Sequence, residues 1–128
     1  MYLDTDVILA LLKVDDWLTS EVDRDGLRDP ITSTATAIEL QYVMQDEWER
    51  DRLAKTHVAI AEEGIDLVPL TSEDIEAAGS FRESYEEVGV FDSIHLGVAH
   101  AREEPIVSTD TLYPDIHEVE HLDPRDIE

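Results

Sequence analysis

The chain has 128 residues, of which 32 are acidic and nine basic, and its formal net charge is −23. It has no cysteine, which excludes disulfides, thiolate metal sites and cysteine nucleophiles. The acids are spread along the chain and no basic patch is visible, which disfavours ordinary electrostatic binding of nucleic acid. With 42% hydrophobic residues, the composition favours a folded core under a solvated acidic surface, as in proteins from salt-accumulating halophiles.

Length and hydropathy also limit the architecture and the location. A chain of this size builds one hydrophobic core, so we expect a single domain over residues 1–128. The apolar run Val7–Leu12 is far shorter than the roughly 20 residues that cross a bilayer, and no basic segment precedes it. We therefore expect a cytoplasmic protein that does not associate with membranes.

The first dozen residues predict a strand, an acidic turn and a buried helix. An apolar opening through Leu3 reaches Asp4, Thr5 and Asp6, and the apolar run Val7–Leu12 follows. In an open α/β sheet, ligands bind beyond the carboxyl ends of the strands, so Asp4 is expected at such a site. One short polar side chain suffices to cap a helix, whereas this turn contains three.

Helical periodicity predicts a short helix over Val14–Arg24 and a longer one over residues 34–51, separated by a brief strand at Ile31–Thr32. Glu39 lies on a mostly apolar face of the longer helix. An ionised acid there is unfavourable unless it is paired, protonated or bound to a cation. The alternative is that the helix is slightly exposed on that side.

The second half of the chain alternates helices and strands. The predicted elements are helices over Arg52–Glu63, Thr71–Val88 and Phe91–Ala101, and strands over Ile65–Val68, Ile106–Ser108 and Val119–Leu122. Asp92 starts a helix, and Asp110 follows a strand as Asp4 does. Strands alternating with helices predict an α/β fold, with a mainly parallel central sheet flanked by helices on both faces.

Four acids therefore stand at positions that a solvated surface does not explain. Asp4 and Asp110 follow strands, Asp92 starts a helix, and Glu39 projects from an apolar helix face. Clustered carboxylates raise one another's pKa by repulsion, and a hard divalent cation with oxygen ligands relieves that repulsion. Mg²⁺ or Mn²⁺ in such a cluster can activate water and stabilise the leaving oxygen in phosphodiester hydrolysis.

Four short motifs follow one another at a characteristic spacing. They are Tyr2–Ile8, Thr32–Leu40, Phe91–Ala99 and Val107–Asp110, and together they span essentially the whole chain. In these motifs the sequence resembles the PIN-domain nucleases, especially the compact toxins of VapBC-type toxin–antitoxin pairs. The resemblance implies an endoribonuclease with one Mg²⁺- or Mn²⁺-binding centre, a homodimer, and a small antitoxin partner whose peptide blocks the site.

The resemblance implies that Asp4, Glu39, Asp92 and Asp110 form that centre, and we hypothesise the following roles within it. Asp4, Asp92 and Asp110 are expected to hold the metal. Glu39 is expected to position a second ion or the attacking water. Asp6 stands where the family often has asparagine or serine, and it is either a further ligand or a change in metal preference.

Two other functions remain open at this point. A phosphatase of the haloacid-dehalogenase type would use Asp4 and Asp6 as nucleophile and acid/base, but neither of the two lysines is placed for the late lysine that this family needs. A degenerate PIN-like module would bind a partner without turnover. His95, one turn after Asp92, is either a hydrogen-bonded structural residue or a contact to a bound phosphate.

Overall fold

The computed structural model describes all 128 residues, and its five strands form one sheet. The strands are β1 (Tyr2–Leu3), β2 (Ile31–Ser33), β3 (Asp66–Val68), β4 (Ile106–Val107) and β5 (His121–Leu122). They lie in the order β3-β2-β1-β4-β5, and every neighbouring pair is parallel. The predicted parallel α/β architecture is confirmed, including the edge strand near the end of the chain.

Six helices cover the sheet. They are α1 (Thr5–Leu12), α2 (Thr34–Val43), α3 (Arg50–Leu53), α4 (Thr56–Glu62), α5 (Ser72–Ser84) and α6 (Val90–Ala101). Successive strand residues point to opposite faces. Tyr2 therefore packs with Leu96 of α6 in one core cluster, and Leu3 packs with Leu40 of α2 in the other. Helices lie on both faces as predicted, and none is both long and apolar enough to cross a membrane.

The strand order reverses at β1, the central strand of the sheet. From this central strand the chain passes to β2 and β3 on one side, and later to β4 and β5 on the other. Leu3 lies opposite Val107, so β1 and β4 end level with each other. The crevice beyond their carboxyl ends is the switch point at which parallel sheets bind ligands.

Residues 14–24 form turns and 3-10 segments, so the helix predicted there is wrong. Leu18 is buried but Trp17 is 63% exposed, which leaves the segment without a continuous apolar face to pack. The side chains of Asp16 and Asp23 accept backbone N–H groups two residues further on. Such local bonds offer the backbone an alternative to the helix.

The long helix predicted over residues 34–51 ends at Val43. Met44 is buried, but the residues after it are charged or polar and the apolar stripe stops. Trp48 does not continue that stripe, because its ring lies 3.7 Å below the Arg52 guanidinium. The chain turns here and resumes as the separate helix α3.

Two further helices are shorter than predicted. Instead of one helix over Arg52–Glu63, the chain forms α3 and α4. The buried hydroxyl of Thr56 donates to the Ala37 carbonyl across 2.9 Å and so ties the start of α4 to α2. The helix predicted to reach Val88 ends at Ser84. These ends depend on tertiary contacts, which periodicity does not report.

Candidate metal centre

Asp4 lies directly after β1 and is the N-cap of α1. Its Oδ1 accepts the Thr5 backbone N–H at 2.8 Å, and its Oδ2 accepts the Ser108 hydroxyl at 2.7 Å. The side chain is buried. Burial raises the pKa of this carboxyl to about 6, although the nearby charge of His95 and the two hydrogen bonds act in the opposite direction.

Glu39 projects from α2 toward Asp4 and is half-buried. Its Oε1 accepts two hydrogen bonds, one from the Thr5 hydroxyl and one from Nε2 of His95 at 2.7 Å. Burial alone would raise the pKa of Glu39. The hydrogen bond and charge of His95, together with the Thr5 hydroxyl, outweigh burial and hold that pKa below its usual value.

His95 lies on α6 and is fully buried. Its Nδ1 is 2.5 Å from the Tyr2 hydroxyl, which in turn lies 2.9 Å from the Ser33 hydroxyl. Burial alone would lower the pKa of His95, but the Tyr2 oxygen and the carboxylates of Glu39 and Asp4 hold it well above its usual value. His95 is thus a hydrogen-bonded interior residue that solvent does not reach.

Asp92 lies in the first turn of α6 and is half-buried. The Tyr113 hydroxyl donates to its Oδ1 at 3.2 Å. Burial raises the pKa of Asp92, and the negative charge of Asp110 raises it further. Asp110 itself is exposed, and its backbone N–H donates to the Ser108 hydroxyl at 3.0 Å. Ser108 therefore links Asp110 to Asp4.

Both carboxylate oxygens of Asp6 accept hydrogen bonds from the protein. Oδ1 accepts the Val7 N–H at 2.8 Å. Oδ2 accepts both the N–H and the hydroxyl of Thr109, at 2.8 and 2.5 Å. This carboxylate joins α1 to the loop that presents Asp110.

All five sequence-predicted acids meet in one cleft of about 430 Å³ at the carboxyl ends of β1 and β4. The cleft is lined by Asp4, Thr5, Asp6, Leu9, Glu39, Val43, Asp92, Thr109 and Asp110, so no lysine or arginine lines it. Ligand atoms of Asp4, Glu39 and His95 lie within 4.8 Å of one another. Carboxylate oxygens with no lysine or arginine among them fit a hard divalent cation.

Sequence reasoning missed the neutral residues that hold these acids. Each of these residues is fully buried, and its hydroxyl makes a hydrogen bond to a side chain of the site: Tyr2 to His95, Ser108 to Asp4 and Tyr113 to Asp92. Their sequence signal is weak, since a tyrosine in an apolar stretch reads as core. The position of Ser108 two residues before Asp110 is the only local hint.

The sequence matches the family model described as PIN domain over residues 1–119. The parallel sheet and the acidic cleft agree with that match, and the chain belongs to the PIN-domain family, as its motifs predict. A comparison with curated proteins found no match.

Solved structures with the same fold include toxin–antitoxin complexes. DNA-bound VapBC from Salmonella typhimurium has a TM-score of 0.75 at 19% identity, over 95% of this chain and 96% of that one. A toxin–antitoxin complex from Klebsiella pneumoniae has a TM-score of 0.71 at 16% identity, over 96% of each chain. VapBC-5 from Mycobacterium tuberculosis has a TM-score of 0.64 at 20% identity, over 94% of this chain and 95% of that one.

Proposed function

We propose that this protein is a Mg²⁺- or Mn²⁺-dependent endoribonuclease that acts in the cytoplasm as the toxin of a toxin–antitoxin pair. One observation carries the proposal: four carboxylates from four separate parts of the chain converge in one cleft that no lysine or arginine lines. A purely structural role does not require four like charges to be held together, because their repulsion opposes folding.

The four acids have two kinds of role in this proposal. Asp4, Asp92 and Asp110 hold the ion, and Glu39 orients the attacking water or a second ion. When bound, the metal lowers the pKa of a water and offsets charge at the leaving oxygen. The raised pKa values of Asp4 and Asp92 support this assignment, since a cation relieves the cost of keeping both ionised.

The phosphatase alternative is weakened by the surroundings of Asp6. An acid/base group must exchange a proton with the substrate, but both oxygens of Asp6 accept hydrogen bonds from the protein. No lysine lines the cleft either. The nuclease is therefore the better account of the same acids.

The partner proposal is a homodimer bound by a small antitoxin. The similar VapBC and toxin–antitoxin complexes support the antitoxin, and the exposed apolar part of α2 offers a surface for a partner. Ile38 is 59% exposed and Tyr42 68% exposed, on either side of Glu39 in sequence. An amphipathic, basic antitoxin segment suits this surface because the whole chain carries a net charge of −23.

The deciding experiment measures cleavage of a mixed RNA substrate in molar KCl with Mn²⁺ or with EDTA. Wild type, Asp4→Asn and Asp92→Asn are compared with Asp66→Asn, an exposed aspartate at the opposite end of the sheet. We expect cleavage by wild type and Asp66→Asn only, and only with Mn²⁺. Unchanged rates in both site variants would contradict the assignment, whereas metal-dependent stabilisation without turnover would favour a binding-only module.

A further inference from the structure

Only one of the two carboxylate oxygens of Glu39 accepts hydrogen bonds from the protein. Oε1 accepts hydrogen bonds from the Thr5 hydroxyl and from His95 Nε2 at 2.7 Å, whereas Oε2 accepts none from the protein. A glutamate side chain has several staggered rotamers, and two donors on one oxygen select one of them. Because Glu39 lines the cleft, the oxygen without a protein donor is the one available to a ligand there.

The role of His95 Nε2 follows from the chemistry of its neighbour. A carboxylate only accepts hydrogen bonds, so the nitrogen 2.7 Å from Glu39 Oε1 must carry a hydrogen. The same nitrogen lies 3.3 Å from the Thr5 hydroxyl and 3.5 Å from Asp4 Oδ1. His95 thus lies between Asp4, which follows β1, and Glu39 on α2.

The imidazole ring is itself fixed from behind. Tyr2 on β1 and Ser33 on β2 are fully buried, and the chain of contacts Ser33–Tyr2–His95 spans 2.9 and 2.5 Å. No buried side-chain nitrogen or oxygen in the protein lacks a hydrogen-bond partner. A buried polar network of this kind is stabilising only when every member is satisfied, and it then specifies a single geometry.

We propose that His95, held by Tyr2 and Ser33, is a positioning residue that orients Glu39 so that its Oε2 meets a divalent cation or its bound water beside Asp4. The proposal rests on the metal centre proposed above and adds to it the network that sets its geometry. Hydrogen-bond partners behind metal ligands contribute about 10–100-fold to metal affinity or activity.

The test compares three substitutions in the network with one outside it. His95→Gln keeps an N–H donor near the Nε2 position, His95→Leu removes it, and Tyr2→Phe removes the hydroxyl that holds the ring. His100→Leu is the control, because His100 is an exposed histidine on the same helix. Mn²⁺ affinity is measured by calorimetry in molar KCl, on variants shown to be folded by circular dichroism and by thermal unfolding in EDTA.

We expect His95→Leu to weaken Mn²⁺ binding by about 10–100-fold. His95→Gln should recover most of that loss, and Tyr2→Phe should show a smaller loss than His95→Leu. On RNA, kcat should fall while KM stays close to wild type. A merely structural role predicts a lower unfolding temperature in EDTA with unchanged Mn²⁺ affinity.

Three results would overturn the proposal. Wild-type Mn²⁺ affinity in folded His95→Leu would remove the positioning role, and if that variant does not fold, wild-type affinity in Tyr2→Phe decides in the same way. Equal loss in His95→Gln and His95→Leu would make Nε2 a direct ligand. Wild-type protein that binds no Mn²⁺ would overturn the metal centre as well. Mn²⁺ binding with the expected variant pattern but no RNA cleavage would reject the nuclease and keep the positioning role.

Discussion

The hydroxyl of Ser108 donates to Oδ2 of Asp4 across 2.7 Å, although 104 residues separate them in sequence. The same hydroxyl accepts the backbone N–H of Asp110 at 3.0 Å. One small side chain therefore sets the spacing between two proposed metal ligands, one after each of the two central strands.

Replacing Ser108 with alanine should weaken Mn²⁺ binding by about 10–100-fold, because Asp4 loses a donor and the Asp110 backbone loses an acceptor. Calorimetric titration with Mn²⁺ measures the effect. Ser80→Ala is the matched control, since Ser80 is exposed on α5 and bonds only to the carbonyl of its own helix. Equal Mn²⁺ affinities in the two variants would show that Ser108 does not position the metal ligands.

Asp6 offers a second test of the metal centre. If its function is to hold Thr109, then Asp6→Asn should bind Mn²⁺ nearly as well as wild type, because the amide oxygen still accepts from Thr109 and only the local bond from the Val7 N–H is lost. Asp6→Ala should lose about tenfold, since the loop that carries Asp110 is released. Competitive titration against Mg²⁺ measures both variants. A loss in Asp6→Asn as large as that in Asp6→Ala would instead make Asp6 a metal ligand.

Asp74 should make stability depend on pH in the acid range. Burial alone would raise the pKa of Asp74, but hydrogen bonds from Arg102 at 2.9 Å and from Thr71 hold it below its usual value of 3.8. A lowered pKa means that the stabilisation is complete above about pH 4 and is lost as the pH falls through the folded-state pKa.

Asp74→Asn should therefore lower the free energy of unfolding by about 1–3 kcal/mol at pH 7 and show a shallower decline below pH 4. Urea titrations at constant KCl measure this, with Glu73→Gln as the exposed neighbour for comparison. A parallel decline in wild type and Asp74→Asn would contradict the prediction.

Two glycines should respond to alanine with opposite signs. A Cβ on Gly97 of α6 would lie 2.8 Å from the Asp74 carbonyl oxygen and 2.9 Å from the Ala78 nitrogen, both backbone atoms of α5. Because backbone cannot move aside cheaply, Gly97→Ala should destabilise by about 1–3 kcal/mol.

Gly79 lies inside α5 with no atom within 4 Å of such a Cβ, so Gly79→Ala should stabilise by about 0.5–1 kcal/mol. Thermal unfolding of both variants provides the comparison. Changes of the same sign would show that α5 and α6 are not packed as closely as described.

Salt should stabilise the fold strongly. The net charge of −23 makes the folded chain repel itself, and the Debye length falls from about 10 Å at 0.1 M to about 3 Å at 1 M salt. The unfolding temperature should therefore rise steadily from 0.1 to 2 M KCl, and NaCl should act alike. An unfolding temperature independent of salt would argue against the halophilic interpretation of the composition.

The acids could be found from the sequence because their positions follow from short-range pattern. A strand that stops at Leu3 or Val107 places the next polar residues at the carboxyl end of the parallel sheet. Glu39 is recognisable because it is a charged residue on an apolar helix face. The start of α4 at Thr56 could not be found in this way, since it depends on a hydrogen bond to the Ala37 carbonyl of α2.

The same limit applies to the network behind the acids. Tyr2 and His95 are 93 residues apart, and only the packing of α6 on the sheet brings the hydroxyl to Nδ1. Local pattern reports which side chains face inward. It does not report which of them will share a hydrogen bond.

The strand order also has a consequence for synthesis. β4 is made after β1, β2 and β3 and pairs with the free side of β1, and β5 then pairs with β4. β4 thereby brings Ser108 and Asp110 to a site whose other acids are already made. A nascent chain that has not yet released residues 106–110 from the ribosome leaves one edge of β1 unpaired and lacks one of the four acids. The acidic centre is therefore complete only after residues 106–110 have been made and have paired with β1, so the proposed activity cannot precede the synthesis of this segment.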